Sequence, residues 1–293
     1  MDDKVPAKIE PKPPSGSIAL ALGGGAARGI AHIPLLEALD ELGIRPRVIA
    51  GTSIGALIGS VYANGMSGRD IRRYTLDLFE ARSELIRRLI NRWPGSLTSL
   101  INPMTPAIIN PVTLFEIVLP EDLPKDFSAL KIPLKVVAAD FHAQEQVIIS
   151  SGPLLPAISA SSALPALLTP VKLDGHILID GGFVNPTPFD IVTNDAEFTV
   201  AVDVTGKGGT EPGEMPNSME AWIGAAQITL YSIVREKLKY EAPDILIRPD
   251  VGRFRVLDFY KVEEILEAAE PARMEFIKQL DKLLKKSAST SEI

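Results

Sequence analysis

The sequence predicts an α/β fold in which parallel strands are joined by crossover helices inside one domain. Three observations carry this. Short apolar runs alternate with helically spaced stretches along the chain. The glycine run Gly23-Gly24-Gly25 closes the first apolar run and opens the first helical one. Gly51-Thr52-Ser53-Ile54-Gly55 does the same for the second. The order strand, tight turn, helix, repeated, is what brings consecutive strands back parallel. The 293 residues, 46% of them apolar, suffice for one large domain or two small ones and exclude global disorder. No internal repeat and no linker divides the chain.

In order, Ser17 to Leu22 reads as a strand. Ala26 to Leu42 reads as a helix with Ile30, Ile33, Leu36 and Leu39 or Leu42 on one side, stopped by Gly43. Arg47 to Ala50 is a second strand and Ile54 to Asn64 a second helix. Further strands are expected at Ile132 to Ala139, Gln146 to Ser150, His176 to Ile179 and Phe198 to Val204. Long helices are expected at Ser218 to Lys239 and Val262 to Lys286. Residues 1–16 are polar and proline-rich and read as a disordered lead-in to a domain at 17–286, with a flexible tail at 287–293. The lead-in has neither the basic start nor the apolar stretch of a signal peptide. Val48 to Ala63 is too short and too interrupted by Gly51, Gly55 and Gly59 to span a membrane.

Residues 82–124 stand apart. Arg82 to Trp93 has Leu85, Ile86, Leu89, Ile90 and Trp93 on one stripe, and Pro94, Pro103, Pro106 and Pro111 follow. The segment reads as a lid, as an interfacial membrane contact, or as a helix packed on the core with a proline-rich connection.

The net charge of −7 argues against a nucleic-acid partner. The chain has no cysteine, which removes disulfides, thiolate nucleophiles and Cys-based zinc sites and fits the reducing cytoplasm.

The chemistry centres on Ser53. A serine between two glycines, after a β-branched apolar run, is the pattern of a nucleophile elbow, in which the hydroxyl stands at the apex of a strand-to-helix turn. The alternative is a helix N-cap, with Thr52 or Ser53 satisfying free amides. Such a serine needs donors for an oxyanion and a base for its proton. Gly23-Gly24-Gly25-Ala26-Ala27-Arg28-Gly29 supplies backbone that a ligand can approach, followed by a helix start. A dinucleotide fingerprint fails because position 28 is Arg28, and no Gly-Lys-Ser/Thr follows for a P-loop.

For the base, His32 lies in the first helix and suits packing. His142 and His176 lie in contexts unlike that of a triad histidine. Asp180, in Leu178-Ile179-Asp180-Gly181-Gly182, is the better partner, at the end of an apolar strand. A free aspartate, with a pKa of about 3.9, is a weak base, and burial would strengthen it. Asp-Gly-Gly is also an ordinary turn. Trp222 and Tyr231 read as core residues. Asp140 and Asp203 read as acids that fix loops.

Gly23 to Gly29, Gly51 to Gly55 and Asp180-Gly181-Gly182, in this order, resemble the motifs of the patatin-like phospholipase family. Ala160-Ser161-Ser162-Ala163-Leu164-Pro165 and Asn185-Pro186 match it as well. The resemblance spans roughly Ser17 to Val204. It implies a three-layer α/β/α fold with a mostly parallel sheet and a serine acyl hydrolase with a Ser–Asp dyad. Ser53 would be the nucleophile and Asp180 the base. The amides of Gly23, Gly24, Gly25 and Ala26 would form the oxyanion hole, and Arg28 would orient the loop. It implies no metal, no other cofactor and no catalytic histidine. The implied substrate is a lipid or other acyl ester, with peripheral contact at the inner membrane face through 82–124 left open, as is the oligomeric state. The alternatives are a non-catalytic binding or regulatory protein on the same fold, an acyltransferase using an alcohol acceptor, and a histidine-dependent hydrolase.

Overall fold

The computed structural model describes residues 13–81, 109–206, 215 and 218–291. The helix expected at Arg82 to Trp93 and the prolines from 94 to 106 lie outside the described residues, as do residues 1–12 of the lead-in. The end of the lead-in is held: the Gly16 amide donates to Glu197.

The strands are β1 Ile18–Leu22, β2 Val48–Thr52, β3 Leu134–Asp140, β4 Glu145–Ile149, β5 Val171–Leu173, β6 His176–Asp180, β7 Phe198–Val202 and β8 Ile245–Ile247. The helices are α1 His32–Glu41, α2 Ile54–Ala63, α3 Gly68–Glu80, α4 Pro111–Val118, α5 Leu154–Ser161, α6 Ser218–Lys237 and α7 Val262–Ser291. One eight-stranded sheet runs β5-β6-β3-β2-β1-β7-β8, with β4 also on β3. It is parallel from β8 through β7, β1 and β2 to β3. It turns antiparallel beyond, where β4 and β6 pair with β3 and β5 with β6.

The period of two decides which core each strand residue joins. Ile18, Leu20 and Leu22 face the larger core, built with α1, α2, α5 and α7. Ala19, Ala21 and Ala50 face a smaller one, closed by Phe189, Val192 and Leu238. Alanines on that face let the irregular stretch after β6 lie close to the sheet, which is flanked by helices as an α/β fold.

The first helical stretch is split. Ala26–Ala31 is a 3₁₀ turn and α1 begins at His32. Ile33, Leu36 and Leu39 are buried, whereas Leu42 is 41% exposed, so the stripe ends at Leu39. The last helix continues past the expected tail start at Ser287, whose hydroxyl reaches Glu197. Five elements escaped the sequence reading: α3, α4, α5, β5 and β8.

Two glycines permit the contacts that place the site. A Cβ on Gly55 would lie 2.1 Å from the Leu22 carbonyl oxygen, and one on Gly181 would lie 2.1 Å from that of Val137. Both obstacles are strand backbone, so α2 and the turn after β6 rest directly on the sheet. Gly55→Ala is expected to lower the unfolding free energy by about 1–3 kcal/mol, the cost of overpacking against rigid backbone. Urea denaturation measures it, and an unchanged midpoint would contradict this packing.

Candidate active site

β3 aligns the two central residues. Along one of its edges it pairs with β4. Along the other it pairs first with β2, up to Thr52 opposite Val137, and then with β6, from Asp180 opposite Ala138. The C-terminal ends of β2 and β6 therefore meet head to head. Ser53 is the residue after Thr52, and its Oγ donates to Asp180 Oδ2 at 2.7 Å across 127 positions of sequence.

Ser53 has the geometry of an elbow. Its φ of 53° is strained for a residue with a Cβ. It is the N-cap of α2, yet its side chain caps no amide. Thr52 Oγ1 donates to the Asn185 carbonyl at 2.8 Å. The N-cap alternative is therefore not what these hydroxyls do. The Ser53 amide donates to Ser161 Oγ at 2.8 Å, and that hydroxyl donates to the Val137 carbonyl at 2.5 Å. Ser161, at the end of α5, thus ties the elbow to β3.

Asp180 is buried. Loss of hydration pushes its pKa from 3.8 up to about 6, against the opposing pull of the Gly182 amide and the Ser53 hydroxyl. Its Oδ1 accepts the Gly182 N–H at 2.7 Å.

The glycine run corrects the sequence reading of the oxyanion donors. The Gly23 amide donates to the Val202 carbonyl at 3.0 Å and the Gly24 amide to that of Pro186 at 2.8 Å. Both N–H groups are consumed in holding the loop to β7 and to the chain after β6. Gly25 and Ala26 carry amides with no protein acceptor among the described residues, and both line the cavity at Ser53.

Arg28 is almost wholly buried, and all its hydrogen bonds to backbone go to carbonyls. Nε donates to Phe254 and Nη1 to Thr205, each at 2.7 Å, and Nη2 to Gly252 at 3.3 Å. It fastens the glycine turn to the chain after β7 and to the chain after β8. His32 Nε2 donates to the Gly23 carbonyl at 2.8 Å from beneath the loop. Burial lowers its pKa to about 4, so it is a neutral prop. His176 pairs with Asp140, and Asp140 also accepts the His142 and Ala143 amides. Asp203 accepts from Thr205 and Arg248. Both acids fix loops, as expected.

The site opens into an apolar cavity of about 520 Å³ that follows α2 along Ile54, Leu57, Ile58 and Val61, with Tyr74 and Phe115 facing it. That size suits a small-molecule ligand. Trp222 lines this cavity, a correction to its assignment as core. Among the described residues no group of three or more His, Asp or Glu is placed to hold a metal ion. No described helix is long and apolar enough to cross a membrane.

A patatin-like phospholipase family model matches residues 20–193, more than half of the chain. The chain belongs to the patatin-like phospholipase family. It is 33% identical over 276 residues to a patatin-like phospholipase domain-containing protein of Caenorhabditis elegans, covering 86% of this chain and 20% of that protein. An uncharacterized NTE family protein of Mycobacterium tuberculosis is 34% identical over 218 residues, covering 71% and 55%. The human patatin-like phospholipase domain-containing protein 6 is 27% identical over 282 residues, covering 86% and 19%. The chain therefore spans about a fifth to about half of the length of these relatives. Among solved structures, VipD from Legionella pneumophila aligns with a TM-score of 0.49 at 17% identity, over 91% of this chain and 67% of that one.

A raised carboxylate pKa is also a stability statement. The protonated form of Asp180 is favoured in the fold, so this contribution is fully present below pH 3.8 and is lost as the pH rises through about 6. Asp180→Asn should leave stability near that of the wild type at pH 4 and exceed it by about 2–3 kcal/mol at pH 8. Urea unfolding across this range measures it. A difference independent of pH would exclude the buried carboxylate as its origin.

Proposed function

We propose that the chain is a serine acyl hydrolase that cleaves fatty-acyl esters of phospholipids or related lipids, with Ser53 as nucleophile and Asp180 as its base. The observation that carries this is the 2.7 Å bond from Ser53 Oγ to Asp180 Oδ2 at the wall of an apolar cavity. Family membership supports lipid hydrolysis in general terms.

In the proposed reaction Asp180 takes the Ser53 proton as Oγ bonds to the ester carbonyl carbon. The carbonyl oxygen becomes an oxyanion held by the Gly25 and Ala26 amides, with the positive end of α2 nearby. The carbon–oxygen bond to the alcohol then breaks, and that oxygen leaves with the proton from Asp180. A water adds to the acyl-enzyme, giving its proton to Asp180. Collapse releases the fatty acid and returns the proton to Ser53 Oγ. Arg28 and His32 keep the loop in place and exchange no proton. The acyl chain lies along α2 in the cavity. Transfer to an alcohol in place of water would use the same acyl-enzyme.

Ser53→Ala and Asp180→Asn, each with an unchanged circular dichroism spectrum, are expected to lose ester hydrolysis by on the order of 10³-fold or more. A panel of phospholipid, lysophospholipid, monoglyceride and simple esters, with products analysed with and without an alcohol acceptor, identifies substrate and acceptor. A fluorophosphonate probe should label the wild type at Ser53 and not the alanine variant. Turnover retained in either folded variant would sink the dyad.

A further inference from the structure

The cavity at Ser53 has an open end and a closed one. Leu257, 44% exposed, lines the open end. Phe79, near the end of α3, stacks there on Phe259 with ring centres 6.0 Å apart. The depth of the cavity lies between α2 and α3. On α2, Val61 is the last residue to line it, and on α3, Ile71 is the first. Residues 64–67 join the two helices, and none of them lines the cavity. Val61 and Ile71 are buried, as is Leu119, which lines the cavity from the end of α4. The closed end is therefore made where the chain turns from α2 into α3.

That end is held from behind. The Asp40 carboxylate of α1 accepts the Tyr62 hydroxyl of α2 at 2.8 Å and the Gly68 amide of α3 at 2.6 Å. Arg72 donates to the two Glu37 oxygens of α1 at 2.7 and 2.6 Å, and to Glu270 of α7 at 3.0 Å. Tyr62 follows Val61 and Arg72 follows Ile71, so each residue of the floor is followed by one pinned to α1. Valine and isoleucine are themselves stiff at χ1 in a helix. A ligand that reaches this end meets side chains that neither shift with their helices nor rotate away.

The distance from the serine to this floor is set by α2. Ser53 is its N-cap, and at 1.5 Å per residue the helix carries Val61 about 12 Å beyond it. An extended chain advances about 1.2 Å per bond, so about ten carbons reach from the serine to the floor. We infer that Val61 and Ile71 determine specificity for the acyl group, ending the channel so that chains of up to about ten carbons are buried along their whole length. This rests on the reading of Ser53 as the nucleophile of an acyl hydrolase and deepens it, by naming the class of acyl group as medium-chain. A longer chain must fold back or leave its end at the mouth, and its extra methylenes gain nothing from burial.

The test is the hydrolysis of p-nitrophenyl esters from butyryl to stearoyl. In the wild type kcat/KM should rise by up to about fourfold per added methylene and stop rising at about ten carbons. Val61→Ala and Ile71→Ala should each move that break up by about two carbons, and Val61→Phe should move it down by about three. Butyryl hydrolysis should stay within about twofold of the wild type in all of them. Leu36→Ala truncates the same core from α1 at a residue that does not line the cavity, and should leave the break in place. Where Val61→Phe fails to fold, the two alanine variants decide. Binding gives an independent reading. The same esters, uncut by Ser53→Ala, should raise its melting temperature with chain length up to the same break, and Val61→Ala added to it should move that break up. A break that stays in place in the alanine variants would overturn the inference. So would an equal shift in Leu36→Ala, which means a loosened core, or butyryl hydrolysis lost as fully as that of longer esters. Cleavage with an unmoved break removes the floor and leaves the hydrolase reading standing. A movable binding break with no cleavage removes the hydrolase reading and leaves the floor standing.

Discussion

The site depends on one edge of β3. Two strands running in opposite directions share it, and they meet at adjacent register positions, Val137 and Ala138. One residue along a strand is about 3.3 Å, so the ends of β2 and β6 are brought to hydrogen-bonding range by ladder geometry alone. Short side chains then suffice. At 2.7 Å between Ser53 Oγ and Asp180 Oδ2 no imidazole fits between them. The switch from parallel to antiparallel pairing at β3 is therefore what sets Ser53 against Asp180. An all-parallel sheet would have sent the end of β6 elsewhere.

The segment from Asp180 to Thr187 extends this control. It starts at the carboxylate and then grips both other parts of the site. The Asn185 carbonyl takes the Thr52 hydroxyl, and the Pro186 carbonyl takes the Gly24 amide. The segment is itself anchored by Lys237 at the end of α6. Its ammonium donates to Asn185 Oδ1 at 2.5 Å, the Thr187 carbonyl at 2.7 Å and Asp190 at 2.6 Å, and it lies 4.2 Å from the Phe189 ring centre. A partly buried cation with three oxygen acceptors and an aromatic face is well compensated. Ser53, the glycine loop and Asp180 are thus bound to one another through backbone, and a shift in one would move the others.

What the sequence disclosed follows from how local each signal is. The elbow at Ser53 and the Asp180 turn are written within five residues each, because glycines must flank a side chain where backbone passes close. The main strands were legible from apolar runs long enough to show a period. β5 and β8 have three residues each, too few for one. In α3 the residues Ile71, Tyr74, Leu78 and Phe79 stand at helical spacing and line the cavity behind a cap formed by Ser67 and Asp70, so this helix is written in the sequence as plainly as α2. The roles of Gly23 and Gly24 were misread because their acceptors, Val202 and Pro186, lie more than 160 positions away. Separation along the chain likewise hides Ser161, 108 positions from Ser53, and Lys237, 52 positions from Asn185. Trp222 looked like core because the cavity it lines is as apolar as a core.

The absence of a histidine from the site has an energetic explanation. A free carboxylate is about three pKa units too weak to match a base poised near neutrality. Burial moves Asp180 to about 6, close to the ordinary value of about 6.5 for an imidazole. At pH 7 the group is still about ten to one ionised, so it is available as a base while holding a proton far better than a free carboxylate. Two contacts stop the shift from going further. The Gly182 amide and the Ser53 hydroxyl both stabilise the charged form. Stronger burial without them would leave the acid protonated and useless as a base. Weaker burial would leave it ionised and too weak. The same apolar wall that receives an acyl chain in the proposed reaction thus does the work of a third residue, by setting the basicity of the carboxylate it encloses.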